Sequence, residues 1–263
     1  MISLLSPIGA ARSLRQVIWR AAVAQVREMA LIAVVVAMSP LGRAGGSFER
    51  AVDALLPVAA GTPPTAPPVL LVHGFAGTKS CWFALARALR ARGVTVDAIN
   101  YTPLGTSVEQ LADWLAVKVE NLLSDTGAAK VHLVGHSLGG VVIAQAFADG
   151  RLTGQVDTVV TIAAPFGGSP WATLLPLGAT VRALRDGSPL LRRLAAAPLP
   201  DGVRWLAFTA TPDLIVPGHR SVPAQTAVQS VTVDDVGHVG MLLSRHVVNR
   251  IVDALPADEQ ATA

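Results

Sequence analysis

The sequence predicts an α/β fold, a mostly parallel central sheet with helices on both faces and a short cap inserted late in the chain. Three observations lead there. Aliphatic-rich runs such as Val69-Leu70-Leu71-Val72 fit strands buried on both faces, as parallel sheets require. Stretches with helical spacing lie between those runs, so strand and helix alternate. The 263 residues are 51% hydrophobic and only 15% charged, which is ample for one large core and excludes a disordered chain.

Taken in order, Val69 to Val72 is the first strand, ending in His73-Gly74-Phe75-Ala76-Gly77-Thr78. Cys81 to Arg92 shows helical spacing through Trp82, Leu85 and Leu89, and Gly93 closes it. Val94 to Tyr101 reads as the second strand. Ser107 caps a helix running through Leu111, Leu115, Val119 and Leu122, with Glu109 in its first turn and Gly127 at its end. Lys130 to Val134 is a strand and Val141 to Phe147 a helix. Val156 to Ala163 is a further strand, followed by an excursion over 166–202 punctuated by proline and glycine. Arg204 to Ala210 and Val228 to Val233 are the last strands, and Met241 to Leu255 is a closing helix.

Between the strand at 130–134 and the helix at 141–147 stands Gly135-His136-Ser137-Leu138-Gly139. A Gly-x-Ser-x-Gly turn between strand and helix holds a serine hydroxyl clear of the backbone on a sharp bend. Such a hydroxyl needs a histidine to accept its proton and a carboxylate to fix that histidine's tautomer. With partners expected downstream of the serine, the candidate bases are His219, His238 and His246. His238 is favoured, because Gly237-His238-Val239-Gly240 places it in a tight turn after a strand. The favoured acid is Asp213, in Thr211-Pro212-Asp213-Leu214-Ile215-Val216-Pro217 after the strand before. The competing role for Asp213 is a turn residue bonding its own backbone. Asp234 and Asp235 share the His238 loop and would have to bend back. Two N–H donors are needed for an oxyanion, and the amides of Phe75 and Leu138 stand at the right places. His73 precedes the serine and reads as ordering its loop, and His136 as packing beside the serine. Cys81 reads as a small buried hydrophobe.

The combination of HGF at 73–75, GHSLGG at 135–140, TPDLIVP at 211–217 and GHVG at 237–240 resembles the bacterial lipase/esterase branch of the α/β-hydrolase superfamily, over about residues 69–255. That resemblance implies an α/β-hydrolase fold, a Ser137–Asp213–His238 triad, an oxyanion hole from Phe75 and Leu138, and cleavage of aliphatic acyl esters through an acyl-enzyme on Ser137. Ala164-Pro165-Phe166-Gly167-Gly168-Ser169 resembles the family's loop at which cap segments are inserted. An acyltransferase or thioesterase using the same triad is the alternative. A catalytically silent hydrolase fold used for binding is a remoter one. Some relatives bind calcium near the histidine loop, but Asp234 and Asp235 alone are no ligand set. No metal and no cofactor is expected.

The chain divides into an N-terminal helical extension (1–56), a proline-rich linker (57–68), the catalytic body (69–255, with the cap at 166–202) and a tail (256–263). The cap interleaves Leu174, Leu175, Leu177, Leu184 and Leu190 with Arg182, Arg185, Arg192 and Arg193, a pattern that shields an acyl chain or simply covers the sheet. In residues 1–50 six arginines face Glu28 and Glu49, whereas the remainder carries 15 basic and 16 acidic residues. The body is therefore nearly neutral and no nucleic-acid partner is expected, the partner being an ester or lipid substrate. The uncharged run from Met29 to Met38 is too short to span a membrane. The extension is read as a helix capped by Ser13 and packed on the domain or on a partner, as a peripheral membrane contact, or as an export signal. A cytoplasmic or membrane-associated location is preferred over a secreted one, and the oligomeric state is left open. The extension departs from the lipase/esterase branch that the sequence resembles, a resemblance that implies a catalytic core complete without it.

Overall fold

The computed structural model describes residues 66–174 and 178–255, together with residues 19, 23, 26–28, 30, 31, 33, 34 and 37 of the N-terminal extension. The expected Ser13 cap, most of the proline-rich linker, Leu175, Leu177 and the tail lie outside the described residues. Six parallel strands form the sheet: β1 (Val69–Val72), β2 (Val96–Ile99), β3 (Val131–His136), β4 (Val156–Ile162), β5 (Arg204–Ala210) and β6 (Gln229–Val233). Their order in space is β2-β1-β3-β4-β5-β6. Every pairing is parallel, with Val69 opposite both Val96 and His132.

Parallel strands cannot be joined by tight turns, so helices bridge them. The bridging helices are α1 (Phe83–Arg90), α2 (Val108–Thr126), α3 (Leu138–Ala148) and, between β4 and β5, α4 (Pro170–Leu174), α5 (Gly178–Ala183) and α6 (Pro189–Ala196). A single 3₁₀ turn (Gly218–Arg220) lies between β5 and β6, and α7 (Gly240–Leu243) and α8 (Arg245–Ala254) follow β6. Alternation along β1 divides its side chains between two cores. Leu70 and Val72 pack with α2, α3 and α6 on one face. Val69 and Leu71 pack with α1, α7 and α8 on the other. The sheet is thus buried on both sides, which accounts for its aliphatic strands. The start of α2 follows the sequence closely. The Ser107 hydroxyl accepts the Gln110 amide at 3.2 Å and the Gln110 side chain accepts the Ser107 amide at 2.9 Å, a reciprocal cap, and Gly127 ends the helix at φ 69°.

The expected helix over Cys81 to Arg92 is a 3₁₀ turn (Lys79–Trp82) leading into α1, the strand expected over Lys130 to Val134 runs on to His136, and three further elements differ for a visible reason. The second strand is shorter than Val94 to Tyr101, because Tyr101 leaves the sheet to stack on His73 with ring centroids 4.2 Å apart. The helix after the serine begins at Leu138, a turn earlier than Val141, since the elbow feeds straight into it. The closing helix is two helices. Ser244, at φ −70° and ψ 118°, ends α7 and turns its hydroxyl onto the Val247 amide to start α8.

Candidate active site

The loops at the carboxyl ends of β1, β3, β4, β5 and β6 converge on one edge of the sheet. Three of them contain non-glycine residues held at positive φ: Ala76 after β1 at 58°, Ser137 after β3 at 52°, and Ala163 after β4 at 49°. Such backbone is costly for a residue with a Cβ and persists only where its surroundings impose it. At Ser137 the surroundings are visible. Its amide donates to the Ile162 carbonyl at 2.8 Å, and α3 begins at the next residue. The turn is also too tight for a side chain two residues on. A Cβ on Gly139 would sit 2.2 Å from the Val72 carbonyl oxygen. The Gly-x-Ser-x-Gly glycine therefore lets α3 pass directly over β1, whose loop holds Phe75. That loop comes equally close to the serine, since a Cβ on Gly74 would lie 2.9 Å from the Ser137 Cβ.

Asp213 and His238 meet as the sequence implied. The His238 Nδ1–H donates to Asp213 Oδ2 at 2.7 Å, and both residues are buried. The other carboxylate oxygen, Oδ1, accepts the Ile215 and Val216 amides, each at 2.8 Å. The two roles weighed for Asp213 are therefore both present. One oxygen builds the turn, and that turn aims the second oxygen at the histidine. With its Nδ1 proton committed to a carboxylate, the neutral ring of His238 presents Nε2 as its acceptor.

His238 and Ser137 line one cavity of about 580 Å³, together with Phe75, Pro165, Trp171 and Leu214. Its lining is largely apolar, and its size falls in the ordinary range for small-ligand sites. Segments from the 166–202 excursion form part of its wall through Trp171, Ala172, Val181 and Leu184. They are tied to the acid loop. The Trp171 indole N–H donates to the Leu214 carbonyl at 3.1 Å, and the Ser169 hydroxyl to the Ile215 carbonyl at 2.6 Å. Leu138 is the first residue of α3, so its N–H has no acceptor within the helix and is free for an external one. Phe75 lies on the rim formed by the β1 loop. The remaining candidates sit elsewhere. His246 is exposed on α8, Asp234 and Asp235 are exposed, and His219 lines a separate cavity of about 340 Å³ beside Trp205 and Phe166. Cys81 is buried against the main cavity, and loss of solvation raises its thiol far above the usual range. Among the described residues no group of three or more ionisable side chains has the arrangement of a metal site.

Two further histidines build the walls. His73 donates from Nδ1 to the Gly74 carbonyl at 2.8 Å and accepts the Tyr101 amide at Nε2 at 3.3 Å, while the Tyr101 hydroxyl donates to the His73 carbonyl. His136 donates from Nε2 to the carbonyl of His238 at 3.1 Å, so the elbow residue beside the serine steadies the histidine loop. Burial lowers the pKa of both. His73 falls from 6.5 to about 4, its bond to the Gly74 carbonyl offsetting only part of the desolvation. His136 falls well below its usual value, through desolvation and then its neighbour His238. A histidine whose folded pKa is depressed adds nothing above its unfolded pKa, and costs stability as pH falls below it. Stability is therefore expected to drop between about pH 6.5 and pH 4, where the unfolded chain binds protons that the folded one excludes. His73 alone accounts for a loss on the order of 3 kcal/mol by pH 4. Urea midpoints measured across that range test this. A shallower fall for the His73→Gln variant than for the native chain would assign that share of the slope to His73, the remainder staying with His136.

One residue in the cavity was missed. Glu28, from the N-terminal extension, is buried, lines the cavity and accepts the Gly240 amide at 3.0 Å and the Val239 amide as well. The readings of that extension did not anticipate a contact with the His238 loop. In sequence Glu28 appeared only as a charge interrupting an apolar stretch, and nothing local marks its partner.

Residues 69–251 match the alpha/beta hydrolase family. Among curated proteins, the chain is 34% identical over 155 residues to a triacylglycerol lipase of Burkholderia plantarii, covering 54% of this chain and 41% of that one. It is 33% identical over 118 residues to a triacylglycerol lipase of Pseudarthrobacter phenanthrenivorans, covering 40% of this chain and 35% of that one. The chain thus spans well under half the length of these relatives. Among solved structures, the mature form of a lipase from Bacillus licheniformis superposes with a TM-score of 0.63 at 18% identity, over 73% of this chain and 94% of that one. That likeness is one of fold.

Proposed function

Because the chain belongs to the alpha/beta hydrolase family, we propose that its cavity is the active site of a serine carboxylester hydrolase acting on aliphatic acyl esters. The observation that carries this reading is the Asp213–His238 pair, bonded at 2.7 Å, whose His238 lines one apolar cavity together with Ser137. The lipase relatives, though matched over part of their length, support an ester or lipid substrate.

In this mechanism His238 Nε2 takes the Ser137 hydroxyl proton as Oγ attacks the ester carbonyl carbon. The carbonyl oxygen becomes an oxyanion, stabilised by the Phe75 and Leu138 amides. Asp213 keeps the Nδ1 proton in place and stabilises the imidazolium that forms. As the intermediate collapses, the C–O bond to the alcohol breaks and the alcohol leaves with the proton held on His238. Water repeats the sequence on the acyl-enzyme, releasing the acid and restoring Ser137. The apolar walls from Trp171, Val181, Leu184 and Leu214 accommodate the acyl chain, so the 166–202 excursion acts as a cap over it. Exposed Trp19, Val23, Val26 and Val34 support reading the N-terminal extension as a peripheral contact with a lipid surface. No described helix is long and apolar enough to cross a membrane.

The test is turnover of p-nitrophenyl acetate, butyrate, octanoate and palmitate, with products analysed in the presence and absence of a competing alcohol. Release of free acid, faster for butyrate or octanoate than for acetate, is the expected result. Strict preference for acetate would remove the acyl-chain role of the cavity. Transfer of most of the acyl group to the alcohol would convert the reading to an acyltransferase.

A further inference from the structure

The loop that presents His238 is held at three points, and two of them come from one side chain far away in sequence. Its carbonyl at His238 accepts the His136 ring N–H at 3.1 Å. Its next two amides, of Val239 and Gly240, both donate to the Glu28 carboxylate, one to each oxygen. Glu28 is 6% exposed, although Val26, Arg27 and the other described residues around it, Leu31 excepted, are exposed. The helical extension therefore presents an outward face carrying Trp19, Val23, Val26 and Val34, and sends one acidic side chain inward. The fit is close. A Cβ on Gly237 would stand 2.7, 2.9 and 3.2 Å from three Glu28 atoms, which are its three nearest neighbours, and one on Gly240 would stand 3.1 Å from Glu28 Oε2. Glycines flank the base where the carboxylate must be admitted.

We propose that Glu28 is a positioning residue for the catalytic base: the N-terminal extension straps the His238 loop through the Val239 and Gly240 amides. This rests on the hydrolase reading above. Two amides at the start of α7, that of Gly240 buried and that of Val239 partly so, need acceptors, and leaving them unmet is expensive. With both bonds made, the backbone on the C-terminal side of His238 is fixed, while His136 fixes the histidine's own carbonyl and Asp213 its ring. In the proposed mechanism these contacts hold Nε2 in place to serve Ser137, which lines the same cavity. Loosening any of the three lets the imidazole drift, and a displacement near 1 Å at a reacting group costs about 100-fold in rate. Glu28 touches neither the serine nor the reacting atoms in this scheme, so its effect runs through His238.

Glu28→Gln in the full chain is the first test. A glutamine keeps one acceptor but points an NH₂ at the second amide, so one bond is replaced by a clash of donors. The expected result is a fall in kcat of about 10- to 100-fold, with KM within about twofold, an equal slowing of fluorophosphonate labelling at Ser137, and a melting temperature within a few degrees of native. The second test is Gly237→Ala, whose added Cβ meets only Glu28 atoms among its three nearest neighbours. It should reproduce the loss in the native background and add little to Glu28→Ala, because the two act on the same contact. Native kcat in both Glu28→Gln and Gly237→Ala overturns the proposal. So does a Gly237→Ala loss that is equally large without Glu28, or a kcat loss that merely follows the fraction unfolded. The underlying hydrolase reading fails separately, if the native chain neither turns over esters nor is labelled at Ser137.

Discussion

Ser137→Ala is expected to lower ester turnover by about 10⁶-fold, as removing the nucleophile of a triad that works as a unit does. The fold should be unaffected. Alanine has the same Cβ as serine, so the backbone at φ 52° is neither relieved nor strained further. The Ser137 side chain makes no capping bond to α3, so none is lost. What survives is the cavity and the amides of Phe75 and Leu138, which leave a residual rate some 10³–10⁴ above that in water. The measurement is kcat on a butyrate ester together with fluorophosphonate labelling, both against a thermal melt. A variant that keeps more than a hundredth of native turnover would remove Ser137 from the chemistry.

Asp213→Asn is expected to cost about 10⁴-fold in kcat, again with the fold retained. The geometry separates the two functions of this side chain. An asparagine oxygen at the Oδ1 position still accepts the Ile215 and Val216 amides, so the turn stands. The NH₂ that replaces Oδ2 faces His238 Nδ1 and donates to it. The imidazole then carries its proton on Nε2, where it has to accept the serine's, and the base is disabled by its tautomer. Labelling of Ser137 should slow by the same factor as turnover. Activity within tenfold of native would transfer the role of acid to another carboxylate, of which Asp234 and Asp235 are nearest in sequence to His238.

The site was legible in the sequence wherever its residues carry local punctuation. Ser137 stands between glycines at the junction of a strand and a helix, and Asp213 and His238 stand in proline- or glycine-marked turns just after strands. Each address follows from short-range chemistry, and the parallel sheet brings the addresses together because all its strands point the same way. The sheet was legible for a similar reason, since strands buried on both faces are aliphatic throughout. What escaped depends on contacts between distant segments. Glu28 and Val239 are 211 residues apart, and the carboxylate is recognisable as a partner only when both are seen. Tyr101 has the composition of a strand residue, yet stacking on His73 withdraws it from the sheet. Ser244 lies in a stretch with continuous helical periodicity, and its hydroxyl breaks that stretch by competing for a backbone amide.

The all-parallel sheet also shapes how the molecule is made. No two neighbouring strands can close as a hairpin, and the central pairing joins Val69 to His132 across an intervening strand and two helices. Loop-closure entropy must be met before such pairings return anything, which places this chain among slow folders. Among the described residues β6 pairs only with β5, so until Gln229–Val233 docks, the open rim of the growing sheet is β5 with Trp205, Leu206 and Phe208. An unpaired apolar rim on a chain with 15% charged residues is a template for other copies. The strand that leads into the His238 loop is thus also the one whose docking covers that rim.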